Sequence, residues 1–281
     1  MATEGQRLRQ RGNRLAKTAD RLSARFARQL AQVLRELERT VSGLMLPGAP
    51  TSAVIQAAEA QALRTQIGAA LVQAGYGDLV SAAVGQPFNR VADLVAAMRL
   101  LPAVPTAAAQ IAAVRTIHLA ELLGEGQRLT ESLQRAAVRG VVGTTPRRRL
   151  LSDLARTIDR SEAQIATLYD TTVSIYGREV EAASATPGKA TRFVYLGPVD
   201  DKTRPWCLQY VGRVLNRQEI DGLDNGQIGP VFLTGGGWRC RHQWTEISQA
   251  SELVSLHKSK GRLPEMQADI ADQRRQRKKA A

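Results

Sequence analysis

LRQRGNRLAKTADRLSARFARQLAQVLRELERTVSGLM, residues 8–45, decides the architecture of the chain. From Leu8 the apolar positions Leu15, Leu22, Phe26, Leu30, Val33, Leu37, Val41 and Leu44 recur at steps of three, four or seven. That spacing puts them on one face of a helix, so the stretch predicts a long amphipathic helix with a single apolar seam. Its other faces carry Arg7, Arg9, Arg11, Arg14, Lys17, Arg25, Arg28, Arg35 and Arg39. The seam can pack within its own domain or dock to another protein. The arginines can reach phosphates or stay solvated. Pro47, Gly48 and Pro50 end the helix near Met45, because proline lacks the donor that a continuing helix needs.

Downstream the helical pattern repeats. Thr51 or Ser52 caps a second, Ala-rich helix reaching about Gly75, with Val54, Ile55, Ala58, Ile67 and Leu71 on its buried side. Shorter helices are predicted at 88–101, stopped by Pro102, and at 106–123, stopped by Gly124 and Gly126. Thr145 and Pro146 read as cap and first position of another long helix, from Arg147 to about Ala183. Its apolar side is Leu150, Leu151, Leu154, Ile158, Ile165, Leu168 and Val173, and Gly177 weakens its last turns. The small and polar run Ser184 to Gly188 marks a boundary.

After it the period changes. Residues 192–197 and 212–215 read as short strands, and an Asp-, Asn- and Gly-rich loop from Asp221 to Pro230 leads to Val231, Phe232 and Leu233. Helix signals return at Ser251–His257 and Pro264–Arg277, and the chain finishes in a basic run read as a mobile arm. The fold class expected is mainly α: an elongated helical N-terminal region over 1–145, a small α+β module over 146–250 with its lead-in helix, and a basic helical tail over 251–281.

Composition bounds the function. Net charge is +13 over 281 residues, which favours a polyanionic partner such as double-stranded DNA over a solubilising role alone. Arg7, Arg11, Arg14, Arg25, Arg274, Arg275, Lys278 and Lys279 are the DNA-contact candidates. Aromatic residues are only 4% of the chain, too few for an extended base-stacking surface. No apolar stretch is read as approaching the roughly 18 residues of a membrane span, and no signal-peptide pattern opens the chain. No membrane partner is therefore expected, and synthesis is placed in a reducing cytosol.

Two segments concentrate the chemistry: VDDKTRPWCLQYVGRVLN at 199–216 and GGGWRCRHQW at 235–244. Cys207, Cys240 and His242 offer two thiolates and an imidazole, one ligand short of a closed tetrahedral zinc site. Asp200, Asp201 or His257 could complete it. The alternative is that both cysteines pack as small hydrophobes and His242 bonds within the module. Asp201 and Arg204 are read as turn and ion-pair residues, and Trp206, Trp238 and Trp244 as core. Cys240 and His242 stand only two apart with no clear oxyanion site, and the glycines before Trp238 lack the context of a phosphate loop, so no catalytic residue is assigned.

The two segments, in this order and about 30 residues apart, resemble the motifs of the phage Mu F-like head morphogenesis family. The first is carried by Asp200, Asp201, Thr203, Arg204, Cys207, Gly212 and Val214, the second by Gly236, Gly237, Trp238, Cys240, Arg241, His242 and Trp244. The helix from Leu154 to Ser174 is similar to the one leading into that domain, so the resemblance spans Leu150 to Ile247, about a third of the chain. Arg204 stands where many relatives have a second Cys. The resemblance implies a non-enzymatic minor capsid component of the virion, located inside the head near the portal vertex after assembly in the host cytoplasm. Portal protein, possibly major capsid protein, and DNA would be its partners. The competing reading is a metal-dependent nuclease or toxin-like enzyme using Cys207, Cys240, His242 and Asp200.

Overall fold

The structure is a computed structural model that describes residues 2–43, 53–99, 102–105, 107–143, 145–186 and 191–280. It is mainly α with a small α+β module, as expected. Helix α1 spans Glu4–Gly43, α2 Ala53–Gln73, α3 Tyr76–Val84, α4 Gln86–Met98, α5 Ala107–Val142 and α6 Arg147–Ser184. Then follow β1 (Arg192–Leu196), α7 (Pro205–Tyr210), β2 (Val214–Asn216), α8 (Arg217–Asp221), α9 (Val231–Thr234), β3 (Gln243–Ile247), α10 (Val254–Lys258) and α11 (Pro264–Ala280). The stop near Met45, the cap at Thr51 or Ser52 and the side chains of Val54 and Ile55 lie outside the described residues.

Packing groups the chain into two interleaved units. One contains Met1–Leu22, Gln86–Thr116 and Asp170–Ala281; the other contains Ser23–Gly85 and Ile117–Tyr169. The divisions fall inside α1, α5 and α6, so long helices contribute to both units and the segments 1–145, 146–250 and 251–281 are not themselves packing units.

In the second unit Phe26, Leu30, Leu34, Leu37 and Val41 of α1 are buried. The seam thus runs through Leu34, with Val33 only half-buried. Phe26 stacks on Tyr169 at 3.9 Å between ring centroids, and the Tyr169 hydroxyl donates to the Ala83 carbonyl at 3.0 Å. On α2, Ile67 and Leu71 are buried as expected, but Ala58 is exposed.

Helix α5 does not stop at Gly124 and Gly126; it runs through both to Val142. Gly126 is where Tyr76 packs: a Cβ there would lie 2.4 Å from its ring, and the Tyr76 hydroxyl donates to the Leu122 carbonyl at 2.7 Å. The glycine therefore serves close packing, and tertiary contact overrides its weak helix propensity. Gly177 likewise lies within α6, which continues to Ser184. The span Ala58–Met98 contains an 18-residue window as apolar as a membrane span, contrary to expectation. Turns at 74–75 and 85 divide it into α2, α3 and α4.

In the first unit the sheet is antiparallel in the order β2-β1-β3, pairing Phe193 with Leu215 on one side and Glu246 on the other. The two expected strands are present; β3 was not anticipated, and residues 231–234 form a helical turn. Arg99, just past α4, bridges Glu181 on α6 at 3.0 Å and Glu246 on β3 at 2.6 Å, all three buried. Phe88 on α4 packs on Tyr176 at 4.5 Å. Trp244 is core, Trp206 is half-buried, and Trp238 is 44% exposed, which corrects its assignment to the interior.

The basic tail is helical through Ala280. Arg277 on α11 donates to the Thr203 carbonyl, and Arg9 on α1 pairs with Asp269. Those contacts tie α11 down along its length, where a mobile arm was expected.

Candidate functional site

The site is assembled by the segments on either side of β1 and β3. Leaving β1, the chain turns at Asp200, whose Oδ1 accepts the Lys202 N–H at 3.1 Å. The Thr203 hydroxyl accepts the Asp200 N–H at 3.0 Å and sits within hydrogen-bond reach of the Pro198 carbonyl. This is an Asx-type turn, and it is Asp200 that makes it; the Asp201 side chain is exposed. Pro205 then opens α7 at its first position and places Cys207 in the interior. Gly212 follows with φ +80, a left-handed turn that lets the chain enter β2, and its N–H donates to the Tyr195 carbonyl at 2.8 Å.

The second motif closes against the first. Arg241 donates to both carboxylate oxygens of Asp200, at 2.8 Å from Nη1 and 2.5 Å from Nη2. Arg204 donates to the Gly236 carbonyl at 2.7 Å and to the Trp238 carbonyl, so it clamps the glycine loop and makes no ion pair there. A Cβ at Gly236 would lie 2.4 Å from Cys207 Sγ, so glycine is needed to bring the two motifs together. Arg239 has φ 56, held by its N–H to Thr171 Oγ1 at 3.1 Å and its Nε to Asp170 at 2.7 Å.

Behind these residues lie the sulfurs. Cys207 Sγ and Cys240 Sγ are 3.7 Å apart, and His242 Nδ1 is 3.9 Å from Cys240 Sγ. The ligand atoms of all three residues fall within 4.8 Å of one another. The Gly236 N–H points at Cys240 Sγ at 3.1 Å, and the Tyr195 hydroxyl lies 3.3 Å from the same sulfur. Sharing a hydrogen bond with Cys240, with burial acting in the same direction, pushes the Cys207 thiol up. Burial alone would also raise Cys240, but the Cys207 hydrogen bond, the Arg178 charge and His242 hold it well below the usual thiol range.

Arg178 supports the loop from beneath. It is 1% exposed, and its guanidinium donates to the carbonyls of His242 (2.8 Å), Leu233 (3.0 Å) and Cys240 (2.5 Å). The sequence did not single it out, because α6 is buried around most of its circumference there and periodicity carries no signal.

A cleft of about 360 Å³ opens beside this cluster, lined by Asp20, Asp170, Lys202, Thr203, Arg204, Cys207, Arg239, Cys240, Arg241 and His242. Four cations face two carboxylates. Burial, with Asp170 and Asp200 nearby, raises Asp20 against the opposing pull of Arg241 3.6 Å away.

Of the three fourth-ligand candidates, none joins the cluster. Asp200 is taken by Arg241, Asp201 is exposed, and His257 pairs with Glu219 at 2.8 Å. The DNA-contact candidates Arg7, Arg14, Arg25, Arg274, Arg275, Lys278 and Lys279 are exposed; Arg11 is half-buried and reaches the Met98 carbonyl. Arg275 pairs with Asp272.

No family model matches the chain, and no curated protein or solved structure matches it either.

Proposed function

We propose that the chain is a minor head protein of a bacteriophage, of the Mu F-like type, which associates with the portal during head assembly and contacts genomic DNA without reading its sequence. One observation carries this reading. The two segments that bear the resemblance, about 30 residues apart in sequence, meet through Asp200 and Arg241, through Arg204 and the Gly236 and Trp238 carbonyls, and through Cys207 against Gly236 and Cys240. The exposed cations of α1 and α11 agree with the DNA part, since phosphate neutralisation needs accessible charge and no particular base-reading element.

The test is co-purification of the full chain with the portal protein of the same phage, together with mass spectrometry of purified virions. Residues 1–22 and 86–116 belong to the same unit as the motifs, so deleting the first 150 residues would remove part of the site's own support. Portal binding and presence in virions at low copy are expected. Absence from both would overturn the reading.

A second reading, a metal-dependent nuclease or toxin-like enzyme, is favoured by the Cys–Cys–His cluster at the wall of a basic cleft. It requires zinc-dependent cleavage of DNA or RNA that is lost in His242→Ala.

A further inference from the structure

Zinc held by two thiolates and an imidazole imposes distances that can be compared with those observed. With Zn–S bonds of about 2.3 Å, tetrahedral geometry sets the two sulfurs roughly 3.8 Å apart. Cys207 Sγ and Cys240 Sγ stand at 3.7 Å. The imidazole nitrogen belongs about 3.5 Å from each sulfur; His242 Nδ1 is 3.9 Å from Cys240 Sγ, and the three ligand atoms all lie within 4.8 Å of one another. All three residues are buried, and all three border the same cleft.

From this geometry we infer that Cys207, Cys240 and His242 bind one zinc ion whose fourth position opens on the basic cleft. Three further observations point the same way. His242 Nε2 is buried and has no hydrogen-bond partner among the described residues, so one ring nitrogen lacks the partner that a satisfied core histidine would give it. The Gly236 N–H and the Tyr195 hydroxyl are aimed at Cys240 Sγ, the donors that a metal-bound thiolate uses to spread its charge. Two thiolates neutralise the ion, so the neighbouring cations Arg178 and Arg204 do not oppose it. Thiolate ligation requires deprotonated cysteines, so affinity should rise with pH.

The grouping contains no fourth Cys, His, Asp or Glu among the described residues. A three-ligand set beside an accessible cleft leaves the last position to water or an anionic oxygen, which is the arrangement of zinc sites that exchange a ligand. Lys202, Arg204, Arg239 and Arg241 around the opening favour an anion there. The inference stands apart from the head-protein reading: a zinc site can exist whether or not the chain binds a portal.

The experiment begins with the full chain purified under reducing conditions from zinc-supplemented cells, with metal measured by inductively coupled plasma mass spectrometry. About one zinc per chain is expected. Cys240→Ser and His242→Ala should lose it, while His257→Ala keeps it. Because the first two substitutions can disturb folding, the wild-type chain is also loaded with Co(II). A thiolate-to-cobalt charge-transfer band with intense tetrahedral d–d bands is expected, and adding inorganic phosphate should shift the d–d bands. A chain without zinc, zinc retained by both ligand variants, or a Co(II) spectrum lacking the thiolate band would overturn the site. Cobalt bands unmoved by phosphate or any other added anion would overturn the open fourth position.

Discussion

Asp200 and Arg241 face each other through two parallel hydrogen bonds that link the turn after β1 to the loop before β3. The Asp200 carboxyl loses ground to burial, but the bonds from Arg241 and Thr203 hold it below the usual carboxylate range. A depressed carboxyl contributes stability above its unfolded value and loses it as pH falls through the folded value. Asp200→Asn is therefore expected to destabilise the chain by about 1 kcal/mol at neutral pH, a modest figure because the carboxylate is over a third exposed. The difference from wild type should shrink toward pH 3. Equal destabilisation at pH 3 and pH 7 in urea titrations would sink the assignment.

Arg178 is expected to be far less tolerant. Its three charge-assisted bonds go to the Leu233 carbonyl on α9 and to the carbonyls of Cys240 and His242 themselves. Arg178→Ala strands those carbonyls in the interior, a loss of at least about 3 kcal/mol. Arg178→Lys should recover only part of it, since an ammonium cannot reproduce the planar fork. A lysine variant as stable as wild type would show that the charge alone matters.

The sequence was legible where periodicity applies. The seam of α1, the α6 start at Thr145 and Pro146, and the β1 and β2 runs follow from residue spacing and capping chemistry. It failed where tertiary contact decides. Gly126 reads as a stop until Tyr76 is packed against it, and Trp238 reads as core until the glycine loop turns it outward. In the site, the motif residues were all visible, but which acid makes the turn was not: Asp200 and Asp201 are adjacent, and only the fold brings Arg241 to the first. Arg178 and Tyr195 lacked any local signal, because they act on sulfur and carbonyl groups more than 40 residues away.

Gly124 and Gly126 of α5 should respond to alanine with opposite signs. At Gly124 an added Cβ meets nothing within 4 Å, so alanine should stabilise the helix by up to about 1 kcal/mol. At Gly126 the same methyl would sit 2.4 Å from the Tyr76 ring. Overpacking of that kind costs about 1–3 kcal/mol. Thermal unfolding of the two variants decides it, and a stabilised Gly126→Ala would mean that Tyr76 is free to move aside.

Binding to double-stranded DNA should fall steeply with salt, because each neutralised phosphate adds about 0.9 to the slope of log affinity against log salt. Replacing Arg274, Arg275, Lys278 and Lys279 by Gln should reduce that slope by up to about 3.6. Arg275 should contribute least, since Asp272 already holds it. Affinity that does not change between low and physiological salt would remove DNA from the list of partners.

The buried cluster of Arg99, Glu181 and Glu246 gives the chain a pH dependence of unusual sign. One guanidinium faces two carboxyls, and with all three ionised the interior would hold an excess negative charge. Burial raises Glu181 from its ordinary 4.5 to about 7, against the pull of Arg99. A carboxyl raised in the fold favours the protonated state, so its contribution is complete below pH 4.5 and is lost as pH rises through about 7. The linkage amounts to roughly 3 kcal/mol at its full extent. Glu181→Gln retains an oxygen acceptor for Arg99 and the Glu246 N–H but cannot ionise. Denaturation midpoints measured from pH 5 to pH 8 should therefore fall for the wild-type chain and fall distinctly less for Glu181→Gln. Parallel curves for the two proteins would place the proton elsewhere and leave Glu181 ionised throughout.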